Sequence, residues 1–457
     1  MNSRMKIPPN ILWIQADEMR AAALGFRTPH LDALAARGTS WTNHHVQSPV
    51  CVPSRVAELT GRYAHETGIL DNSTAYSHGV WPAGCRTFPE LFAEAGYLTA
   101  SIGKYHEPYR PIWIENTEFE LFENEAWYSR LVSADDAAHD VIHLHREPQS
   151  LILAGRYPGA RTPSAHVTDL ALGWLSRHNV ADIRRPFLLR VSYLAPHTPV
   201  LPATEFLRDD GDGAPMESAM RADQPAFEQT SRLRNRVHDA GDLRRIRASY
   251  NALVAEVDAQ VGRLVAKLAA MGELERTIIA FTSDHGVLLG EHGLFQKMVF
   301  HDEVTRVPFV MAGPGIPAGQ RVTGLSEGID LGRTLLGACG IGAEFPGRDL
   351  LRAPLPREVI GEIVEPRPIG LVRRSWIRTD EWSLDVTTAV DGLPATDADG
   401  QLVSVGETVN RWREPACAGV IQELLARLRA RLIDGAVPAQ RGQKQVKFAR
   451  REGTQST

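Results

Sequence analysis

The sequence predicts an α/β protein in which helices flank a large central sheet and a smaller α+β domain follows at the C-terminus. Three observations favour this fold class. Short apolar runs alternate with segments of helical periodicity. Three of the apolar runs end in polar or charged residues, as strands do at the ligand-binding edge of an open α/β sheet. After Pro346 the pattern changes to several short strands and one terminal helix.

The composition limits the classes of function. The chain of 457 residues is 43% apolar and 23% charged, which is typical of a globular protein. Its net charge of -5 gives no basic surface for nucleic acid or acidic membranes. Residues 1–9 lack an apolar signal segment, and the apolar run 11–16 is too short to cross a bilayer. We therefore expect a cytoplasmic chain that binds neither nucleic acid nor membranes. The oligomeric state is not readable from the sequence.

The first half of the chain contains repeated strand and helix units. Residues 11–16 form an apolar run that ends in Asp17 and Glu18, so a strand here delivers two acids to the rim of the sheet. Two further units follow: a helix at 31–37 with a strand at 39–43, and a helix at 88–95 with a strand at 97–103.

The second half continues this alternation between two segments without periodicity. We expect a strand at 187–194 that leads to His197, and a strand at 277–282 that ends before Asp284 and His285. Apolar residues recur at helical spacing over 253–268, which predicts a long helix. Residues 107–163 are interpreted as an irregular insertion and 202–243 as a polar loop.

Domain boundaries follow from the change in pattern. We assign residues 1–350 to the main domain, 351–440 to the small α+β domain and 441–457 to a flexible tail. Within the small domain the predicted elements are strands at 358–363, 369–379 and 382–386 and a helix at 415–433.

The most specific segment is CVPSRVAELTGR, residues 51–62. Proline in the first turn, an apolar face and Gly61 at the end describe a short helix with Cys51 at its start. The free amides and the positive end of the helix dipole favour an anion at Cys51. A lone cysteine is most often a small buried apolar residue, but the residues around this one favour a functional role.

These residues resemble the hallmark of the type I sulfatases of the alkaline phosphatase-like superfamily, C-x-P-S-R followed by x-x-x-L-T-G-R, and match all its fixed positions. Further motifs resemble those of the family in the same order: residues 10–17, 28–34 (TPHLDAL), 103–106 (GKYH), 196–199 (PHTP), 283–286 (SDHG), 292–297 (HGLFQK) with 305–308 (TRVP), and 406–410 (GETVN). The resemblance implies an alkaline phosphatase-like fold with a mixed sheet, and hydrolysis of a sulfate monoester with release of sulfate.

The resemblance also implies a modified nucleophile. In the family a separate maturation enzyme, a transient partner, oxidises the cysteine to formylglycine, whose hydrate attacks sulfur and forms a covalent sulfo-enzyme. Cys51 is the matching position. Carried over in the same way, Arg55 holds the hydrate or ester, and Lys104 and Lys297 bind sulfate oxygens. His197 is the matching acid for the leaving oxygen, and His106 helps to expel sulfate.

One divalent metal ion is expected beside this nucleophile. Asp17, Glu18 and Asp284 offer hard oxygen ligands and His285 a nitrogen, which suits calcium, the preferred ion, or manganese or magnesium. The modified Cys51 would complete the ligand set. The chain departs from the family at Glu18, where a second aspartate is common, and at His285, where many relatives have asparagine.

Two other functions stay open at this point. A phosphonate monoester or phosphodiester hydrolase could use the same scaffold, and a non-catalytic protein could use the cleft to bind an anion. The remaining cysteines and several histidines are expected to be structural: Cys85, Cys339, Cys417, His30, His44, His45, His65, His78, His292 and His301. The aromatic residues of the insertion line a substrate pocket or form their own small core: Tyr105, Tyr109, Trp113, Trp127 and Tyr128.

Overall fold

The fold was analysed in a computed structural model. It describes residues 8–72, 81, 84–108, 115–119, 142–143, 153–154, 162–180, 185–198, 200–211, 240–367, 370–388 and 400–434. Structural statements below concern these residues. Most of the predicted insertion, the middle of the predicted polar loop and the predicted tail lie outside them, as do His78, Tyr109, Trp113, Trp127 and Tyr128.

An eight-stranded mixed sheet forms the centre of the main domain. Its strands are β1 Asn10–Asp17, β2 Gly38–His45, β3 Leu98–Lys104, β4 Glu115–Phe119, β7 Phe187–Pro196, β8 Thr277–Ser283, β11 Arg306–Ala312 and β12 Gln320–Glu327. Their order in the sheet is β12-β2-β11-β8-β1-β7-β3-β4. Strand β11 runs antiparallel to β2 and β8, while the other described pairings in this sheet are parallel. Short pairs β5–β6 (Ile142–His143, Leu153–Ala154) and β9–β10 (Leu288–Leu289, Phe295–Gln296) lie outside this sheet.

Helices cover both faces of the large sheet. The described α-helices are α1 Pro29–Ala36, α2 Cys51–Thr60, α3 Ala64–Thr67, α4 Phe88–Glu94, α5 Pro163–Val180, α6 Ala240–Ala270, α7 Asp302–Thr305, α8 Asp330–Ala338 and α9 Ala418–Asp434. Apolar residues of α1, α5 and α6 pack on one face together with Leu12 and Ile14 of β1. Those of α2, α4 and α8 pack on the other face with Ile11 and Trp13. Strand β1 is therefore buried on both sides, which explains its largely apolar run.

The C-terminal subdomain is a four-stranded antiparallel sheet with one long helix. Its strands are β13 Glu358–Arg367, β14 Gly370–Thr379, β15 Trp382–Thr388 and β16 Gly400–Ser404, paired in that order. Apolar residues of α9, such as Leu424 and Leu428, pack on Ile377 and Leu384 of this sheet. The predicted fold class is confirmed in both parts: a large mixed sheet flanked by helices and a smaller α+β subdomain.

Several elements differ from the prediction. The helix predicted at 253–268 is the middle of α6, which begins at Ala240, inside the segment predicted to be a loop. The predicted helix at 415–433 begins with a 3₁₀ turn and continues as α9. We did not predict α5, α8, β11, β12 or β16. Among the helices that the structure describes, none has the length and apolar character needed to cross a membrane.

Candidate active site

The candidate site lies at one edge of the large sheet, where four neighbouring strands end. Strand β1 ends at Asp17, opposite Pro196 of β7, and Ala16 is paired with Ser283 of β8. Strand β3 ends at Lys104 beside β7. Because these strands are parallel, the polar residues that follow them meet at their carboxyl ends, which is where ligand sites of open α/β sheets lie.

Helix α2 brings Cys51 to this edge. The helix begins at Cys51 and ends at Thr60, and it is closed by Gly61, whose φ of 68° is the left-handed conformation typical of a glycine after a helix. Cys51 is buried, with 2% of its surface exposed. Its Sγ atom lies 3.1 Å from Nε2 of His285, 3.2 Å from Nζ of Lys297 and 3.9 Å from Nζ of Lys104. Three nitrogen atoms therefore surround the position predicted to carry the nucleophile.

The electrostatic environment of position 51 favours negative charge. Burial alone would raise the pKa of the Cys51 thiol, but the charges of Lys104, Lys297 and His285 hold that pKa well below its ordinary value. His106 is buried, and its interaction with Cys51 also contributes to the lowered pKa of the thiol. An anionic sulfur or oxygen at this position is therefore stabilised by the side chains around it.

Arg55 links the two aspartates of the site. Its Nε donates to Asp284 Oδ2 at 2.7 Å, and its Nη2 donates to Asp17 Oδ2 at 2.9 Å. Its Nη1 donates to Gln15 Oε1 and Ser192 Oγ, both at 3.1 Å. The guanidinium is completely buried. These contacts orient the carboxylates and go to protein groups, whereas the sequence analysis assigned Arg55 to hold the hydrate or ester.

The acidic groups of the site fit a bound cation. Asp17 Oδ1 is buried and has no hydrogen-bond partner among the described residues. Ligand atoms of Asp17, Cys51, Asp284 and His285 all lie within 4.8 Å of one another. The ring of His285 is oriented by a 2.9 Å contact between Nδ1 and the Gly286 carbonyl oxygen, which turns Nε2 toward this cluster. Two carboxylates, an imidazole and one unsatisfied oxygen are a suitable donor set for one divalent ion.

The pKa values of Asp17 and His285 are set by the opposite charges around them. Burial and the Cys51 thiolate favour protonated Asp17, yet Lys104, His197 and Arg55 together hold its pKa below the ordinary value. Burial lowers the pKa of His285, but the adjacent Asp284 carboxylate raises it to about 9. Without a metal ion, a proton on His285 supplies part of the charge that a cation would bring.

Glu18 lies beside the cluster and contacts two catalytic candidates. Its Oε1 is 2.7 Å from Nζ of Lys297 and 3.4 Å from Nε2 of His197. With Asp17 and His197 it forms a second group of nearby ligand atoms. Although burial raises the pKa of Glu18, the charges of His197, Lys297 and His285 lower it below its ordinary value. The role of Glu18 as a metal ligand stays a prediction.

Comparison with known proteins agrees with the geometry. Residues 9–341 match the family model described as Sulfatase. The chain belongs to the sulfatase family. It is 30% identical to a choline-sulfatase of Rhizobium meliloti (strain 1021) over 378 residues, 74% of this chain and 68% of the relative. It is 32% identical to an ulvan-active sulfatase of Formosa agariphila over 325 residues, 69% of this chain but only 58% of that relative.

Solved structures show the same fold. A phosphonate monoester hydrolase, SpPMH from Silicibacter pomeroyi, superposes on this sulfatase with a TM-score of 0.74 and 23% identity, covering 93% of this chain and 96% of its own. The structure of BT4656 in complex with its substrate D-glucosamine-2-N,6-O-disulfate gives a TM-score of 0.68 at 22% identity, over 93% and 98% of the two chains. These likenesses confirm the alkaline phosphatase-like fold predicted from the motifs.

The structure brings all predicted site residues of the sulfatase to one place. His197 lies at the outer side of this group, with 22% of its side chain exposed. The others are more deeply buried, and Lys297 reaches the group from the loop between β10 and α7. The residues are Asp17, Glu18, Cys51, Arg55, Lys104, His106, His197, Asp284, His285 and Lys297.

Sequence reasoning missed the buried polar residues behind the site. Gln15 and Ser192 hold Arg55, and Gln15 also donates to Glu58. Glu107 Oε1 lies 2.7 Å from Nη2 of Arg190, which in turn donates to the carbonyl oxygen of Lys104 at 3.0 Å. Polar residues inside the apolar runs of β1 and β7 are the signal that could have indicated this second layer.

Proposed function

We propose that this sulfatase hydrolyses a sulfate monoester at position 51, with Cys51 converted to formylglycine and one divalent ion bound beside it. The observation that supports this proposal is the buried Sγ atom of Cys51, which lies between two lysines and a cluster of carboxylates. A sulfate group carries negative charge on several oxygens. The two lysines therefore stabilise the sulfate oxygens, while the carboxylates hold the metal ion.

Each neighbouring side chain has a role that its position supports. The Nζ atoms of Lys104 and Lys297 lie beside position 51, so their positive charges face the oxygens of a sulfate group bound there. His197, on the exposed side, protonates the leaving oxygen. Burial lowers the pKa of His106, so its imidazole is neutral and can accept a proton from position 51. Formylglycine would supply, as its hydrate, a hydroxyl nucleophile and a second hydroxyl for release of sulfate.

Asp17, Asp284 and His285 would hold the metal ion, with Glu18 as a further ligand. Calcium is the first ion to test, and manganese and magnesium are the alternatives. Bound there, the ion would neutralise ester oxygens and lower the pKa of the nucleophile. Arg55 holds Asp17 and Asp284 in place through its hydrogen bonds to both carboxylates.

The substrate is proposed only as a class. The relatives are named for choline and for ulvan, which differ in the organic part of the ester. Sulfate monoesters are the chemistry that these names share. A cytoplasmic location and a maturation enzyme as transient partner remain predictions.

The first test is the chemical state of residue 51. After co-expression with a formylglycine-generating enzyme, the tryptic peptide of residues 38–55 should lose sulfur and two hydrogens and gain one oxygen, as measured by mass spectrometry. Cys51→Ala should abolish hydrolysis of an aryl sulfate because no nucleophile remains. An intact thiol in active protein would refute the modification. A higher kcat/KM for an aryl phosphonate monoester than for the aryl sulfate would assign the phosphonate function instead.

The second test concerns the ligand role of His285. Removal of the metal by a chelator should abolish activity, and added divalent ions should restore it. In His285→Asn an amide oxygen replaces the imidazole nitrogen, so the ratio of activity restored by Ca²⁺ to that restored by Mn²⁺ should rise relative to the wild type. The control is His30→Asn, because His30 lies in helix α1 and is not part of the candidate site. An unchanged ratio in His285→Asn would mean that His285 does not bind the ion.

A further inference from the structure

Two histidines and a glutamate form a separate cluster beside the loop that carries Lys297. Ligand atoms of His292, His301 and Glu303 all lie within 4.8 Å of one another. Nε2 of His292 is 3.6 Å from Oε2 of Glu303, and the rings of His292 and His301 stack with their centroids 4.0 Å apart. All three residues are half-buried, and the side chains of His292 and Glu303 are 13% and 31% exposed. Both histidines are among those predicted from the sequence to be only structural.

We propose that His292, His301 and Glu303 form a second metal site, which binds one zinc ion through two imidazoles and one carboxylate. Two imidazoles with one carboxylate are a ligand set that proteins use for zinc, with a fourth position left for water. Ligands about 2.0–2.1 Å from zinc lie roughly 3.4 Å apart at a tetrahedral angle. The 3.6 Å between His292 and Glu303 fits that spacing, and a ligand atom of His301 lies within 4.8 Å of both.

Glu303 supplies the negative charge of the cluster. Glu291 is the neighbour of His292 along the chain, but its carboxylate is already paired with Arg20 at 2.7 Å and with Arg247 at 3.9 Å. A glutamate is ionised at neutral pH, so Glu303 can bind a metal ion without first losing a proton.

The position of the site suggests what the zinc would do. His292 and His301 stand at the two ends of the segment that contains Lys297. Within this segment His292, Gln296 and Met298 have positive φ values of 56°, 68° and 75°, a conformation that costs about 1–2 kcal/mol for a non-glycine residue. A zinc ion joining the two ends would hold this strained segment in place. The backbone of Glu303 is itself fixed, since its carbonyl accepts from the amide of Val287 at 2.9 Å.

Zinc binding can be measured apart from catalysis. Apo-protein should bind two equivalents of Zn²⁺ in a calorimetric titration, one at the active site and one at this cluster. His292→Asn tolerates the left-handed backbone and removes the imidazole, and His301→Gln and Glu303→Gln remove the other ligands. Each variant should lower the affinity of this cluster for zinc by more than about 100-fold. His30→Gln, the matched control, should keep both equivalents.

A second background separates this site from the active site. In Asp17→Asn with Asp284→Asn, one equivalent of zinc should remain, and zinc should still raise the Tm. Adding His301→Gln to this background should remove both the binding and the rise in Tm. Zinc binding at this cluster that is unchanged by His301→Gln, or no zinc bound by the Asp17→Asn, Asp284→Asn protein, would overturn the proposal. Because the readout is zinc binding, the proposal stands or fails independently of the proposed sulfate ester hydrolysis.

Discussion

Replacing Arg55 with lysine is expected to lower both the metal affinity and the activity of the sulfatase by about 10- to 100-fold. Arg55 bridges Asp284, at 2.7 Å, and Asp17, at 2.9 Å, through two different nitrogen atoms. The single ammonium of a lysine cannot reproduce this planar arrangement of donors. At least one of the two carboxylates would therefore lose its orientation toward the ion.

The protonation of Asp284 adds to this effect. Burial raises the pKa of Asp284 although Arg55 opposes that rise. With the guanidinium removed, the pKa of Asp284 would rise further, and the metal ion would have to displace a proton from the carboxylate. The loss of metal affinity should consequently be larger at low pH than at high pH, which titrations of the apo-protein at several pH values would reveal.

Arg55→Met is the more severe variant. It removes the guanidinium that pairs with both buried carboxylates, while Asp17 keeps its pairing with Lys104, and this loss costs about 3–5 kcal/mol of folding free energy. Added metal should restore part of the lost stability, since the ion supplies the missing charge. Arg37→Lys and Arg37→Met are matched controls, because Arg37 forms an exposed ion pair with Glu275 at 2.7 Å. Wild-type metal affinity and activity in Arg55→Lys would show that Arg55 does not orient the ligands.

The central strands of the fold were predictable because of where they lie. Strands β1, β7 and β8 are buried on both faces, so each is a mostly apolar run, and the predicted runs 11–16, 187–194 and 277–282 fall within one or two residues of the observed strands. Strand β12 is at the edge of the sheet and exposes Gln320 and Arg321, so it has no apolar run that would indicate it.

Only the site residues that belong to short sequence motifs could be predicted. Cys51, Asp284 and Lys297 each stand in a short pattern whose order along the chain matches the family. Contacts such as that between Arg55 and Ser192 join residues 137 positions apart, and no local pattern encodes them. The same holds for contacts from the C-terminal subdomain to the site, none of which is among the predictions from the sequence.

One such contact comes from Arg374, in the middle of β14. Arg374 is completely buried and pairs with Asp385 of β15 through Nε and Nη2. Its Nη1 donates to the carbonyl oxygen of Met298 at 3.1 Å, and its guanidinium lies 5.4 Å from the ring centroid of Phe300. The amide of Met298 donates to the Pro49 carbonyl oxygen at 3.1 Å. The residue after Lys297 is therefore fixed from both sides, by the small sheet and by the segment that enters α2.

Arg374→Lys is expected to reduce kcat by up to about 100-fold, because a shift of about 1 Å in a group near the reacting atoms can have an effect of that size. The lysine keeps a positive charge beside Asp385 but loses the additional donor to Met298. Lys297 would then no longer be held against position 51. Steady-state kinetics with an aryl sulfate and thermal unfolding of the same samples would measure the two effects separately.

Arg373→Lys is the matched control, since Arg373 is the preceding residue of the same strand and pairs with Glu362 instead. Both lysine variants alter an ion pair of the small sheet, but only Arg374→Lys should change kcat. Metal affinity should stay at the wild-type level in Arg374→Lys, because Asp17, Asp284 and Arg55 keep their contacts. Equal kcat in the two variants would mean that the small sheet does not position Lys297. Reduced metal affinity in Arg374→Lys would instead mean that the small sheet supports the ligands, the role that the Arg55 variants assign to α2.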